Sequence, residues 1–150
     1  MNRFSQLELA QAHQQGLYSI GEASKHSGVS AKMIRHYETL GLIKVAERTQ
    51  ANYRIYNQQE IHSLHFIKRA RDLGFTLKQI SVLVSLWQNQ QRTSAEVKAL
   101  ALKHIAEMDE RIQGLHAMRS SLAELANTCK GDQQSDCPIL ANLAQERCKH

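Results

Sequence analysis

Apolar residues recur at Ala101, Ile105, Met108, Ile112, Leu115, Leu122 and Ala126, at steps of alternately four and three once Arg119 is counted as a single polar interruption. That spacing is a heptad seam of roughly four repeats, the signature of a helix that pairs with another helix. A continuous helix from Ser94 to about Asn127 would extend for about 50 Å. No domain built from the remaining residues of a 150-residue chain can cover a stripe of that length. The seam therefore predicts a dimer held by a long helix paired with an antiparallel or parallel partner; a helix packed against its own domain is the alternative.

Composition agrees with a mainly helical chain. Proline occurs once (Pro138) and β-branched runs are scarce. The net charge is +5, and its distribution is uneven. Residues 18–75 carry nine Lys/Arg against five Asp/Glu, residues 76–150 nine against eight, and residues 1–17 balance at zero. A basic excess confined to one stretch fits a polyanionic partner there. Residues 1–17 contain no apolar core of signal-peptide length, and no stretch approaches a membrane span, which predicts a cytoplasmic protein. Thiols in that compartment stay reduced, so the three cysteines read as metal or redox chemistry before a disulfide framework.

The basic half is organised by caps and stops. Ser19 and Glu22 have capping-box spacing and open a short helix that ends near Ser27-Gly28. Ser30 caps a second helix from Ala31 to about Leu40, which Gly41 stops. Two short helices joined through a glycine turn form a helix-turn-helix pattern, with Met33, Ile34 and Leu40 expected to pack inward. Two short extended runs, Leu42-Ile43 and Ala51 to Tyr56, read as a wing. Further helices are expected over about Gln58–Leu73 and Leu77–Trp87. A helix-turn-helix with a wing presents its second helix to the major groove and its wing to the flanking backbone. Arg35, Tyr37, Tyr53 and Arg54 have the chemistry for phosphates, and Lys32 lies on the first turn of the second helix, where side chains reach base edges.

Cys129 and Cys137 bound a polar stretch whose Gly131 lets the chain turn back and bring both sulfurs together. Two thiolates at one point suit a soft monovalent ion better than tetrahedral zinc. The same spacing permits a redox pair closing a disulfide, or two unrelated buried thiols. Cys148 and His150 could add ligands and would then favour zinc. His26, His36, His62, His65, His104 and His116 lack metal-ligand spacing. No nucleophile elbow, phosphate-binding glycine loop or catalytic carboxylate pair stands out, so the chain reads as a non-enzyme.

The run Ile34-Arg35-His36-Tyr37-Glu38-Thr39-Leu40-Gly41-Leu42 and the run Asn52-Tyr53-Arg54-Ile55-Tyr56 resemble the two most specific segments of the MerR family of transcriptional regulators. The order of elements over about residues 18–143 resembles that family throughout. The Cys-x7-Cys pattern followed by Pro138-Ile139 looks closest to its CueR-like, copper(I)-responsive branch. Divalent-ion sensors of the family place a cysteine at the start of the long helix, where this chain has Ser94. Lys98, one turn further on, resembles a lysine that family members place near the metal.

The resemblance implies a winged helix-turn-helix domain (18–87), a hinge and antiparallel coiled-coil dimerisation helix (88–127), and a metal-binding loop with a short helix and tail (128–150). The extension 1–17 has no assigned role. The implied metal ligands are Cys129 and Cys137, with Ser94 and Lys98 in the surroundings, holding one Cu(I) per subunit or in its place Ag(I) or Au(I). The implied DNA contacts are Lys32, Arg35, Tyr37, Arg48, Tyr53, Arg54 and Arg71. The implied partners are double-stranded promoter DNA, a second copy of the chain and RNA polymerase, with metal binding distorting the promoter to activate transcription. A gold, silver or zinc sensor is the neighbouring alternative. A thiol-based metal buffer or redox protein is the alternative from another class.

Overall fold

The structure is a computed structural model and describes residues 8–132 and 135–145. Cys148 and His150 lie outside the described residues, as do residues 1–7 of the N-terminal extension. The elements run α1 (Leu9–Gln14), β1 (Tyr18–Ser19), α2 (Ile20–Ser27), α3 (Ala31–Thr39), β2 (Glu47–Arg48), β3 (Arg54–Tyr56), α4 (Gln58–Asp72), α5 (Leu77–Gln88), α6 (Ser94–Thr128) and α7 (Pro138–Ala144). They form two compact units, Met1–Val97 and Lys98–His150. The mainly helical architecture with a winged helix-turn-helix and a long helix is the one the sequence predicts.

The helix boundaries follow side-chain chemistry. Ser19 and Ser30 accept hydrogen bonds from the backbone N–H groups of Glu22 and Met33, capping α2 and α3. Full capping boxes open α4 (Asn57 with Glu60) and α5 (Thr76 with Gln79). Thr93 and Glu96 exchange the same pair of bonds at the start of α6. Between α2 and α3 the turn needs Gly28, whose φ of 75° lies in the left-handed region and whose α-carbon faces the Lys68 stem.

The core of the first unit gathers Ala23, Val29, Ile34, Tyr37, Tyr56, Ile61, Leu64, Ile67 and Ile80 from α2, the turn after it, α3, β3, α4 and α5. Phe66 and Trp87 stack at 4.5 Å beside it, and His62 meets the Trp87 ring edge-on. Two expectations for α3 are corrected. Tyr37 is 4% exposed and belongs to the core, because it lies three residues beyond Ile34 on the same helical face. Leu40 is 49% exposed, since the helix has already stopped at Thr39 and the chain reverses through Gly41.

The wing also differs from expectation. Leu42 and Ile43 form no strand, and β3 pairs with Glu47–Arg48 on one side and with Tyr18–Ser19 on the other. The sheet order is β1-β3-β2, all antiparallel. Ile55 and Tyr56 are therefore both buried, on opposite faces of the central strand. Tyr56 enters the main core, whereas Ile55 joins a second cluster with Ala12 and Leu17, against which Leu9 packs.

In α6 the 35 residues extend for about 52 Å. Ile105, Met108, Ile112, Leu115 and Leu122, the seam residues, are all exposed in the single chain. Among the described residues no helix is long and apolar enough to cross a membrane.

Candidate nucleic-acid interface and metal centre

The basic face begins with α3. Lys32 and Arg35 are exposed on that helix, as is Arg71 in the last turn of α4. On the wing, Arg48 lies directly across the ladder from Arg54. Like charges in cross-strand register destabilise a sheet unless something negative offsets them. Part of the offset is internal. Glu38 of α3, its side chain 8% exposed, accepts from Arg54 Nε at 3.3 Å through Oε2 and from the Ala46 backbone N–H at 3.3 Å through Oε1.

That carboxylate fastens both the loop and the wing to the helix beside them. The contact leaves no mark in the sequence, because Glu38 and Arg54 are 16 residues apart and no local pattern joins them. Arg48 instead donates to the Asn52 carbonyl at 3.0 Å and braces the wing tip. There Asn52 takes a left-handed φ of 68° and donates to the Thr49 carbonyl at 2.9 Å. Tyr53 remains exposed next to that turn. Beneath the wing, burial holds the Tyr56 hydroxyl up at about 12, reinforced by the Glu38 carboxylate. Among the described residues its oxygen is buried without a hydrogen-bond partner.

The expected contact residues thus divide into groups. Lys32, Arg35, Tyr53 and Arg71 are exposed, while Arg48 and Arg54 are partly covered and already engaged within the chain. Tyr37 is inside.

At the far end of α6, Cys129 follows the last helical residue, and its N–H donates to the Leu125 carbonyl at 3.2 Å. Gly131 turns the chain with a φ of 63°, and Cys137 stands at the N-cap of α7 with Pro138 in its first turn. The loop brings the two thiols together. The Leu140 and Ile139 backbone N–H groups in the first turn of α7 and the Cys129 thiol all favour the Cys137 thiolate. Leu140 N–H contributes most, and together they hold the Cys137 thiol below its ordinary pKa. A thiol held in this way is closer to the thiolate that ligates metal.

Both sulfurs are partly exposed and unbridged. Among the described residues no group of three or more His, Cys, Asp or Glu converges on a possible metal position. The donor set that the described residues offer at this loop, the Cys129 and Cys137 sulfurs, fits a soft ion.

Lys98 is not brought to that loop within one chain. Ser94 opens α6, and Lys98 precedes its last residue, Thr128, by about 45 Å along the same helix.

Comparisons with known proteins place these features in a family. The profile described as "MerR HTH family regulatory protein" matches residues 18–86, and "MerR, DNA binding" matches residues 61–125. "Heavy metal-dependent transcription regulator 2" of Rhizobium meliloti (strain 1021) is 51% identical over 126 residues, covering 84% of this chain and 86% of that protein. "HTH-type transcriptional regulator CueR" of Escherichia coli O6:H1 is 40% identical over 84% of this chain and 93% of its own length. Among solved structures, the transcription regulator PbrR691 from Ralstonia metallidurans CH34 in complex with lead(II) superposes with a TM-score of 0.73. It is 32% identical, over 83% of this chain and 98% of that one. By sequence and by fold, this chain belongs to the MerR family of transcription regulators.

Proposed function

We propose that this chain is a copper(I)-responsive activator that binds promoter DNA as a homodimer and changes the promoter's shape when metal binds. The observation that carries the reading is the meeting of Cys129 and Cys137 at the end of α6, with Cys137 acidified by the Leu140 and Ile139 N–H groups. Two thiolates around a monovalent ion leave one net negative charge, and a two-sulfur set suits Cu(I), Ag(I) or Au(I). The heavy-metal regulator and CueR relatives support metal response of some kind. The lead(II) complex of PbrR691 makes a divalent soft ion the reading to test against.

The exposed seam of α6 supports pairing with a second copy. In an antiparallel pair the start of one helix lies beside the end of the other. Lys98 of the partner subunit would then offset the charge at the Cys129–Cys137 loop, and Ser94 of the partner subunit would stand where a cysteine would otherwise recruit a divalent ion. Lys32 and Arg35 on α3 face the major groove in this reading. Arg48, Tyr53 and Arg54 on the wing hold flanking phosphates, and Arg71 adds a further contact. Residues 18–87 do the DNA binding, 88–127 the dimerisation and 128–150 the sensing. RNA polymerase acts on the same promoter in the cytoplasm, and the metal-driven deformation aligns the promoter for it.

An anaerobic competition titration of the reduced protein with Cu(I), Zn(II) and Pb(II) tests the proposal, using wild type, Cys129→Ser and Cys137→Ser. One Cu(I) per subunit, lost in both variants, is the expected result. Preference for Zn(II) or Pb(II), or Cu(I) binding indifferent to both substitutions, overturns it.

A further inference from the structure

Helix α1 is a built element, closed at both ends. Glu8 and Gln11 exchange capping bonds at its start. At its end the Leu17 N–H donates to the Ala12 carbonyl at 2.9 Å across Gly16, whose φ is 73°. That reversal delivers the chain straight into β1 at Tyr18. It also turns Leu17 back toward the helix, the arrangement of a helix stop sealed by an apolar contact.

The apolar side of α1 meets the sheet. Ile55 is 2% exposed, and its burial is shared with Ala12 and Leu17, with Leu9 packed against them. One face of an antiparallel sheet can be left to water, but the face that carries Ile55 is dry. A second tie reaches past the sheet, where His13 Nε2 lies 2.6 Å from Glu22 Oε1 on α2. The family profile begins only at residue 18, so α1 lies outside the matched region.

We propose that α1 is a clamp that positions the wing for DNA. The strands of this wing contain two and three residues, and so short a ladder holds its own geometry poorly. Alternation puts Arg54 on the Tyr56 face of β3, and Arg48 lies opposite Arg54. Where these two guanidinium groups stand relative to α3 depends on where β3 is held. Tyr56 and the Glu38–Arg54 bond hold it from the core side, and Ile55 under α1 holds it from behind. Leu9, Ala12 and Leu17 are thus positioning residues, acting through Ile55. The inference rests on the reading that the wing meets promoter DNA.

The test compares wild type, Ala12→Asp, Leu17→Ala and the conservative Leu17→Met in the full chain. Affinity for a promoter fragment is measured at several salt concentrations, backbone contacts by hydroxyl-radical footprinting, and Cu(I) binding by competition. Loss of the two wing arginine contacts in each subunit, four in the dimer, should weaken binding at least about tenfold and flatten the log-affinity against log-salt slope by roughly three to four. In Ala12→Asp and Leu17→Ala the outer flanks of the footprint should lose protection while its centre and the metal stoichiometry stay as in wild type. Leu17→Met should restore the flanks.

Leu17→Ala carries the test alone if Ala12→Asp does not fold. Unchanged flanks and slope in Leu17→Ala overturn the clamp, and so does an even loss of protection across flanks and centre. Wild type that binds no DNA sinks the functional reading and the clamp with it. Failure of the variants alone to differ leaves that reading standing and removes only the clamp.

Discussion

Replacing Ile112 with aspartate should dissociate the dimer. Ile112 lies one residue from the midpoint of α6, and a symmetric antiparallel pair with full overlap places its two-fold axis there. It is 49% exposed in the single chain. Full burial of such a side chain is worth about 1.5–3 kcal/mol, so covering the exposed half contributes about 1 kcal/mol per subunit. Symmetry doubles this to about 2 kcal/mol for the packing alone. Aspartate also forces two carboxylates into one apolar contact, at a few kcal/mol more. A total near 5 kcal/mol corresponds to a dimer weaker by three to four powers of ten in Kd, at about 1.4 kcal/mol per decade.

Sedimentation equilibrium over a range of protein concentrations reads this directly, with helicity followed in parallel to show that α6 survives. Gln113→Asp, exposed and off the seam, serves as the control and should leave the dimer unchanged. If Ile112→Asp dimerises within about threefold of wild type, the seam is not the interface and the reasoning fails. Equal weakening by Gln113→Asp would point instead to a general effect of charge.

Other predictions concern the wing and the loop. Glu38→Gln keeps the shape but removes the charge that holds Arg54 and the Ala46 N–H, and should cost about 2 kcal/mol in urea unfolding while weakening promoter binding. Unchanged stability would show that Arg54 is held by other means. The Tyr56 hydroxyl, pushed up to about 12, should remain un-ionised in a spectrophotometric titration past the pH at which exposed tyrosines ionise. Its unfolded-state value near 10 is the lower of the two, so stability should fall as pH rises from about 10 to 12, and Tyr56→Phe should abolish that loss. A Tyr56→Phe protein with the same alkaline loss refutes the assignment. In the metal-free reduced protein, peptide mapping after iodoacetamide treatment should find Cys137 alkylated at lower pH than an unperturbed thiol. Replacing Cys129 by serine should change that onset. An onset at the ordinary thiol pKa would remove the backbone N–H groups from the account.

The sequence by itself determined the features that rest on neighbours in the chain. Ser19, Ser30, Asn57 and Thr76 mark helix starts because a capping bond spans only three residues. Gly28 and Gly41 mark the ends because few other residues accept a left-handed backbone there. The seam of α6 and the Cys129–Cys137 loop are equally local, one as a repeat and the other as a short turn with two ends.

Tertiary structure decided the rest. Tyr37 reads as a surface tyrosine in the sequence and is core in the fold, because its helical face is chosen by what α2 and α4 place beside it. A two-residue strand such as β1 is too short to show alternation, and it exists only because β3 offers it an edge. Glu38 meets Arg54 across 16 residues, and α1 acquires a function only when Ile55 is found beneath it. The distance between Lys98 and the cysteine loop is fixed by the rigidity of one helix, so any meeting of the two requires a second chain. A capping bond costs little chain entropy and can be read from a few residues. A contact between distant segments depends on where the whole core places them, and no window of sequence contains that placement.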